Sequence, residues 1–130
     1  MAKTHKETLD EVFSQYIRLL YSTTSRTMCR CYTCPKLKSI KRIQNGHFIS
    51  RTYLATRWDE SNCRPQCVGC NMYGGGRTLD FEENLIDEIG EEAVNELKKR
   101  RHTIVKLDDA WYEAKILHYK TLVKKMGGWK

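Results

Sequence analysis

The sequence predicts a small α+β domain, mainly helical, with a four-cysteine zinc site at its centre and helices at both ends. Three observations predict it. Apolar residues recur at helical spacing near both termini of the 130-residue chain, six cysteines cluster between Cys29 and Cys70, and a hairpin signal lies between the cysteine pairs. A chain with 40% hydrophobic residues can build one small core, with little stability in reserve, so a metal staple is expected. No apolar run approaches the roughly 18 to 20 residues of a spanning helix, and the N-terminus lacks the apolar stretch of a signal peptide. The expected location is the cytoplasm, with no membrane. Thiols stay reduced there, which favours metal ligation over disulfides.

Leu9, Val12, Phe13, Tyr16, Ile17 and Leu20 recur at steps of three and four and predict an amphipathic helix over 8–20. Ser22 to Arg26 breaks that period and reads as a linker, so the first segment spans 1–25. The cysteine module spans 26–78. Within it Asn45-Gly46 suits a type I′ hairpin turn, which makes His47 the opening residue of a second strand. Gly74-Gly75-Gly76 ends the short helix expected after Cys70. Residues 79–130 form a helical segment: Leu85, Ile86 and Ile89 in one helix stopped at Gly90, and Ala93, Val94 and Leu97 in its hairpin partner. A last helix, capped by Asp108 or Asp109, carries Tyr112, Ile116, Tyr119, Val123 and Met126.

Cys31-Tyr-Thr-Cys34 and Cys67-Val-Gly-Cys70 are separated by 32 residues. Two residues between thiolates let one tight turn aim both sulfurs at a single tetrahedral ion, and two such turns complete a closed structural zinc site. A redox pair would need a β-α-β context that is missing here. Four sulfurs leave zinc no open position, so any catalytic metal must be a second ion. Cys29 and Cys63 are left as bystanders.

Charge follows the same division. Residues 1–78 carry 13 of the 23 Lys/Arg and only five of the 16 acids, and between Arg26 and Arg77 the acids are Asp59 and Glu60 alone. A basic segment on a metal framework points to a polyanionic partner, nucleic acid first.

The stretch Asn45-Gly-His-Phe-Ile-Ser-Arg51, then Arg57-Trp-Asp-Glu-Ser-Asn62, then Cys70-Asn71 at the end of the second knuckle, resembles the His-Asn-His (HNH) endonucleases. That resemblance implies a ββα-metal (His-Me finger) core. It assigns His47 as general base, Asn62 as the residue that holds the loop, and Asn71 as ligand of a catalytic Mg²⁺ or Mn²⁺. The assignments are chemically apt: a base of near-neutral pKa deprotonates water, and a hard cation stabilises phosphate charge. Arg51, Arg57 and Arg64 are candidate phosphate clamps. Most members carry a metal-ligating Asp, Glu or His where this chain has Gly46. The expected replacement is Asp59, then Glu60; otherwise His47 is itself the ligand and the base is unassigned.

Over nearly its whole length the chain resembles a narrower group, the phage NinG (Rap) recombination proteins. The features are Leu9 to Arg18, Gly46 to Arg51, Arg57 to Asn62, Gln66 to Asn71, and Gly90-Glu-Glu-Ala-Val94. The resemblance implies an endonuclease that cuts branched DNA, such as Holliday junctions and displacement loops, in a bacterial host. Symmetric cutting of two strands implies a homodimer, for which the terminal helices offer surfaces. The competing expectation is a zinc-stabilised DNA-binding module with no catalysis, its site decayed at Gly46. Trp58 is expected to pack under the loop, and Tyr53 to be free to stack on bases.

Overall fold

The structure, a computed structural model, describes residues 2–130. It is a mixed α+β fold, mainly helical, with two small sheets. Helix α1 (His5–Leu20) opens at Thr4, whose hydroxyl accepts from the Glu7 N–H. Its apolar stripe Leu9, Val12, Phe13 and Ile17 is fully or nearly buried, each side chain worth about 1.5–3 kcal/mol of burial. At its end Leu19, not the expected Leu20, turns inward.

Strands β1 (Met28–Arg30) and β2 (Leu37–Ser39) pair antiparallel, with Cys29 opposite Lys38, and carry the first cysteine knuckle in their connection. Strands β3 (Gln44–His47) and β4 (Cys63–Gln66) pair antiparallel, Gln44 opposite Gln66 and His47 opposite Cys63. Asn45-Gly46 is therefore mid-strand rather than a turn, and His47 closes β3 instead of opening a second strand. The reason is local: a Cβ on residue 46 would collide with the side chain of Gln66 across the ladder. Glycine serves here for close approach, not for positive φ.

Between β3 and β4 run helix α2 (Leu54–Arg57) and a single 3₁₀ turn (Glu60–Asn62). After β4 come the second knuckle and a wide turn over Gly69–Tyr73. Helices α3 (Thr78–Ile89) and α4 (Glu91–Arg100) form the expected hairpin about Gly90, whose φ of +93° suits a residue without Cβ. Helix α5 (Asp109–Lys125) is capped by Asp108, which accepts from the Trp111 N–H at 2.8 Å.

Helix α5 packs along α1, so Tyr112, Tyr119 and Val123 share a core with Phe13, Ile17, Ile43 and the buried Cys29 and Cys63. The α3–α4 hairpin closes a second core on Phe48 and Ile49 through Phe81, Leu85, Val94 and Leu97. Both terminal segments thus complete the packing of the cysteine module. Among the described residues no helix is long and apolar enough to cross a membrane.

Candidate functional site

The two knuckles meet because the ends of β1 and β4 are stitched together: Tyr32 N–H donates to Pro65 O at 2.9 Å, and Cys67 N–H to Cys31 Sγ at 3.3 Å. The four sulfurs of Cys31, Cys34, Cys67 and Cys70 all lie within 4.8 Å of one another. A tetrahedral zinc with bonds of about 2.3 Å separates its sulfurs by about 3.8 Å. Cys34 and Cys67 are 3.7 Å apart, so the cluster fits a structural zinc. Cys29 and Cys63 stay outside it; burial pushes the Cys29 thiol up to about 11 and Cys63 higher still, leaving both inert.

Beside the knuckles a cleft of about 510 Å³ opens between α1, β3 and the turn after Cys70. His47 and Asn71, expected partners, both line it. His47 lies next to Arg57 O, with Nε2 at 2.9 Å. A carbonyl only accepts, so Nε2 carries the proton and neutral Nδ1 keeps its lone pair. Burial lowers the pKa of His47, against the Arg57 carbonyl, which raises it. The imidazole is accordingly a free base at neutral pH.

Asn62 is wholly buried behind the cleft. Its Oδ1 accepts from Ile49 N–H at 2.7 Å, and its Nδ2 donates to Ile49 O at 3.0 Å and Thr56 O at 3.1 Å. With Phe48 N–H donating to Asn62 O, the loop between β3 and β4 is closed on itself, and with it the carbonyl that orients His47.

The other expected residues divide. Arg51 stands at the cleft with an exposed side chain, bonded to Asp10 at 2.6 Å. Arg57 is turned inward and donates through Nε and Nη2 to Asp10, so it braces the site rather than clamping a phosphate. Arg64 is buried: its guanidinium bonds Glu88 and the carbonyls of Glu60 and Cys63, which removes it from any DNA surface. Asp59 faces away, held by Arg100 and capping the turn at Ser61 N–H. Glu60 accepts from the Tyr16 and Tyr119 hydroxyls under α1 and α5, and burial and this carboxylate push Tyr16 up to about 12. Neither acid reaches His47, and the expected replacement for the carboxylate missing at Gly46 does not come from this loop. Trp58 packs as expected, its Nε1–H donating to Asp10 at 2.9 Å.

Sequence reasoning missed the α1 side of the cleft. Asp10, Ser14 and Arg18 line it at i, i+4, i+8, a polar stripe beside the apolar one, and that spacing was the available signal. Arg18 spends its bonds on Ser14 O and Ile40 O, whereas Lys41 and Arg42, also on the lining, are exposed. Asp10 is the sole carboxylate of the lining, and its oxygens are committed to Arg51, Arg57 and Trp58. Asn45 lies two residues before His47 on the same face of β3, and its Oδ1 is buried with no hydrogen-bond partner. Asn71 donates its Nδ2 to Gln44 Oε1 at 2.8 Å, leaving its own Oδ1 as an acceptor.

The family described as Bacteriophage Lambda NinG protein matches residues 1–127. The chain belongs to the NinG family. Individual NinG proteins resemble it over a shorter stretch. Protein ninG of Escherichia phage 933W is 36% identical over 75 residues, covering 55% of this chain and 36% of that protein. Protein ninG of Escherichia phage lambda is 35% identical over 75 residues, covering 55% and 35%. Protein ninG of Salmonella phage P22 is 36% identical over 77 residues, covering 55% and 36%. The matched stretch of this NinG chain thus spans about a third of the length of these relatives. No solved structure matches it.

Proposed function

We propose that this NinG-family protein is an HNH-type, metal-dependent endonuclease that hydrolyses phosphodiesters in branched DNA, such as Holliday junctions and displacement loops, during phage recombination in the host cytoplasm. The observation that carries the reading is the bond between His47 Nε2 and Arg57 O, 2.9 Å long, which leaves Nδ1 unprotonated on a residue that lines a cation-rich cleft. His47 takes a proton from water at Nδ1, the resulting hydroxide oxygen bonds phosphorus, and the P–O bond opposite breaks with its electron pair on the departing sugar oxygen, which takes a proton from solvent. Asn62 positions the carbonyl that holds His47. Arg42, Lys41 and Arg51 receive the backbone phosphates, replacing Arg57 and Arg64 in that role. Cys31, Cys34, Cys67 and Cys70 hold zinc for the fold alone.

A divalent Mg²⁺ or Mn²⁺ supplies charge stabilisation at the scissile phosphate when bound. Asn71, whose Oδ1 is left as an acceptor on the cleft lining, would hold it through one neutral oxygen, as suits a hard cation that keeps most of its waters. Incubation of the zinc-loaded protein with a four-way junction and Mg²⁺ or Mn²⁺ tests the reading: nicking is expected, and none from His47→Ala.

One observation favours the second reading, a zinc-stabilised DNA-binding module without catalysis. Gln66 fills the space where the commoner HNH carboxylate would stand, and the single acid of the cleft is fully occupied. Salt-dependent junction binding with no cleavage under any divalent metal would establish that alternative.

A further inference from the structure

Met72 and Tyr73 are 63% and 87% exposed, consecutive apolar side chains that the packing of the fold leaves uncovered. They follow Asn71 directly, and Met72 itself lines the cleft that holds His47. Their backbone is firmly tied: Asn71 N–H donates to Cys67 O at 2.8 Å, Gly74 N–H to Gly69 O at 2.7 Å, and Gly76 N–H to Cys70 O at 3.0 Å. A Cβ at Gly74 would stand 3.0 Å from Cys70 O, so the turn closes this tightly only with glycine there. Gln66 Nε2 adds a bond to Gly76 O at 2.9 Å. The turn is thus anchored to the second cysteine knuckle and built to present two apolar side chains to solvent.

Displaying them costs the hydrophobic gain of burying them, and the neighbouring cleft supplies a use. Arg42, Lys41 and Arg51 attract a phosphate backbone to the same rim. Apolar side chains beside a backbone-binding groove insert between base steps or stack on unpaired bases, which is easiest where a duplex is already interrupted.

We infer that Met72 and Tyr73 form a wedge that enters the base stack beside the scissile phosphate and selects branched or locally unpaired DNA over continuous duplex. The inference rests on the proposed action on DNA. It gives that action a structural source of branch preference, through stacking and not through reading of base edges. Tyr73 acts by its ring, so its hydroxyl is dispensable.

The test uses the zinc-loaded full chain carrying His47→Ala, so that DNA stays intact. A four-way junction with 2-aminopurine at the branch point, and a linear duplex of the same sequence, serve as probes. The parent is expected to bind the junction more tightly and to raise 2-aminopurine fluorescence. Adding Met72→Ala and Tyr73→Ala should weaken junction binding about tenfold and abolish the fluorescence rise, with duplex binding unchanged. Tyr73→Phe should restore both. Unchanged junction preference and fluorescence in the double variant would overturn the wedge while leaving the nuclease reading intact. So would concentration-dependent self-association that the double variant removes without touching DNA discrimination. A parent that binds neither DNA would overturn both.

Discussion

His47 Nε2 and the carbonyl of Arg57 stand 2.9 Å apart, and this bond fixes the chemistry the imidazole can perform. Because burial lowers the pKa of His47, the ring is neutral at physiological pH and Nδ1 can receive a proton. Cleavage is therefore expected to rise with pH through a value below the usual 6.5 or so and to level off above it. Linkage gives stability the same sign. The depressed folded-state value means stability is full above the unfolded value, falls as pH drops through that window, and levels off below the folded value. His47→Gln, which cannot be charged, should flatten that part of the curve in denaturant melts at several pH values, while junction binding persists.

Asn62 answers a backbone donor and two backbone acceptors from within the core. Asn62→Ala strands all three and should destabilise the fold by about 2–4 kcal/mol. Measured by urea titration, this loss should accompany a loss of cleavage, since the loop that holds Arg57 O would relax. Asn62→Asp keeps the Oδ1 acceptor but sets a buried carboxylate oxygen against the carbonyls of Ile49 and Thr56, and should cost at least as much as Asn62→Ala.

Much of this arrangement was legible in the sequence, and the exceptions have physical causes. The two Cys-x-x-Cys pairs and the helical periods need only local spacing, and His47 and Asn71 do come to one cleft, although His47 ends β3 where the turn signal has it opening a strand. The turn signal at Asn45-Gly46 misleads because a glycine required by a neighbouring side chain, Gln66, looks in sequence like one required by backbone φ. Arg64 and Asp59 are drawn away from the cleft by partners, Glu88 and Arg100, that lie 24 and 41 residues away in sequence. Exposure of a charge is a tertiary property. Asp10 and Arg18 were hidden for the converse reason: α1 brings its polar stripe to the cleft only once its apolar stripe has docked on α5.

Arg64 and Arg42 should consequently separate stability from binding. Arg64→Ala removes a buried guanidinium from Glu88 and two carbonyls, and should lower stability by about 2–4 kcal/mol. Arg42→Ala should leave the unfolding midpoint nearly unchanged, weaken DNA binding of all sequences alike, and reduce the slope of log affinity against log salt by about one. The reverse pattern would place the phosphate path elsewhere.

The four-sulfur cluster predicts one zinc per chain, measurable by elemental analysis of the purified protein. Its sulfurs join the ends of β1 and β4 in a chain whose core is small, so the folded state should depend on the ion. Chelation, or Cys67→Ser, should lower the melting temperature steeply and abolish DNA binding together with cleavage. Cys29→Ala and Cys63→Ala should leave the zinc content at one; each loses the packing of a small buried side chain and a thiol bond to a carbonyl, Arg18 O at 3.0 Å for Cys29 and Arg57 O at 3.8 Å for Cys63.

Gly46 and Gln66 supply the sharpest test of whether this cleft can accept a carboxylate at residue 46. Restoring an acid by Gly46→Asp should not create a better metal site, because even a methyl at residue 46 meets Gln66 Oε1, Cδ and Cγ. Gln66 cannot simply swing aside: its amide nitrogen is held by Thr33 Oγ1 at 3.0 Å and Gly76 O at 2.9 Å, and its side chain is fully buried. Gly46→Ala should therefore destabilise by about 1–3 kcal/mol, through strain carried into the β3–β4 ladder. Combining it with Gln66→Ala should recover part of that loss relative to the sum of the single changes, a coupling readable in a double-mutant cycle. Additive effects would show that the two side chains do not compete for the same space. With the coupling established, Gly46→Asp in the Gln66→Ala background becomes the variant in which tighter Mn²⁺ binding, followed by calorimetry, is expected.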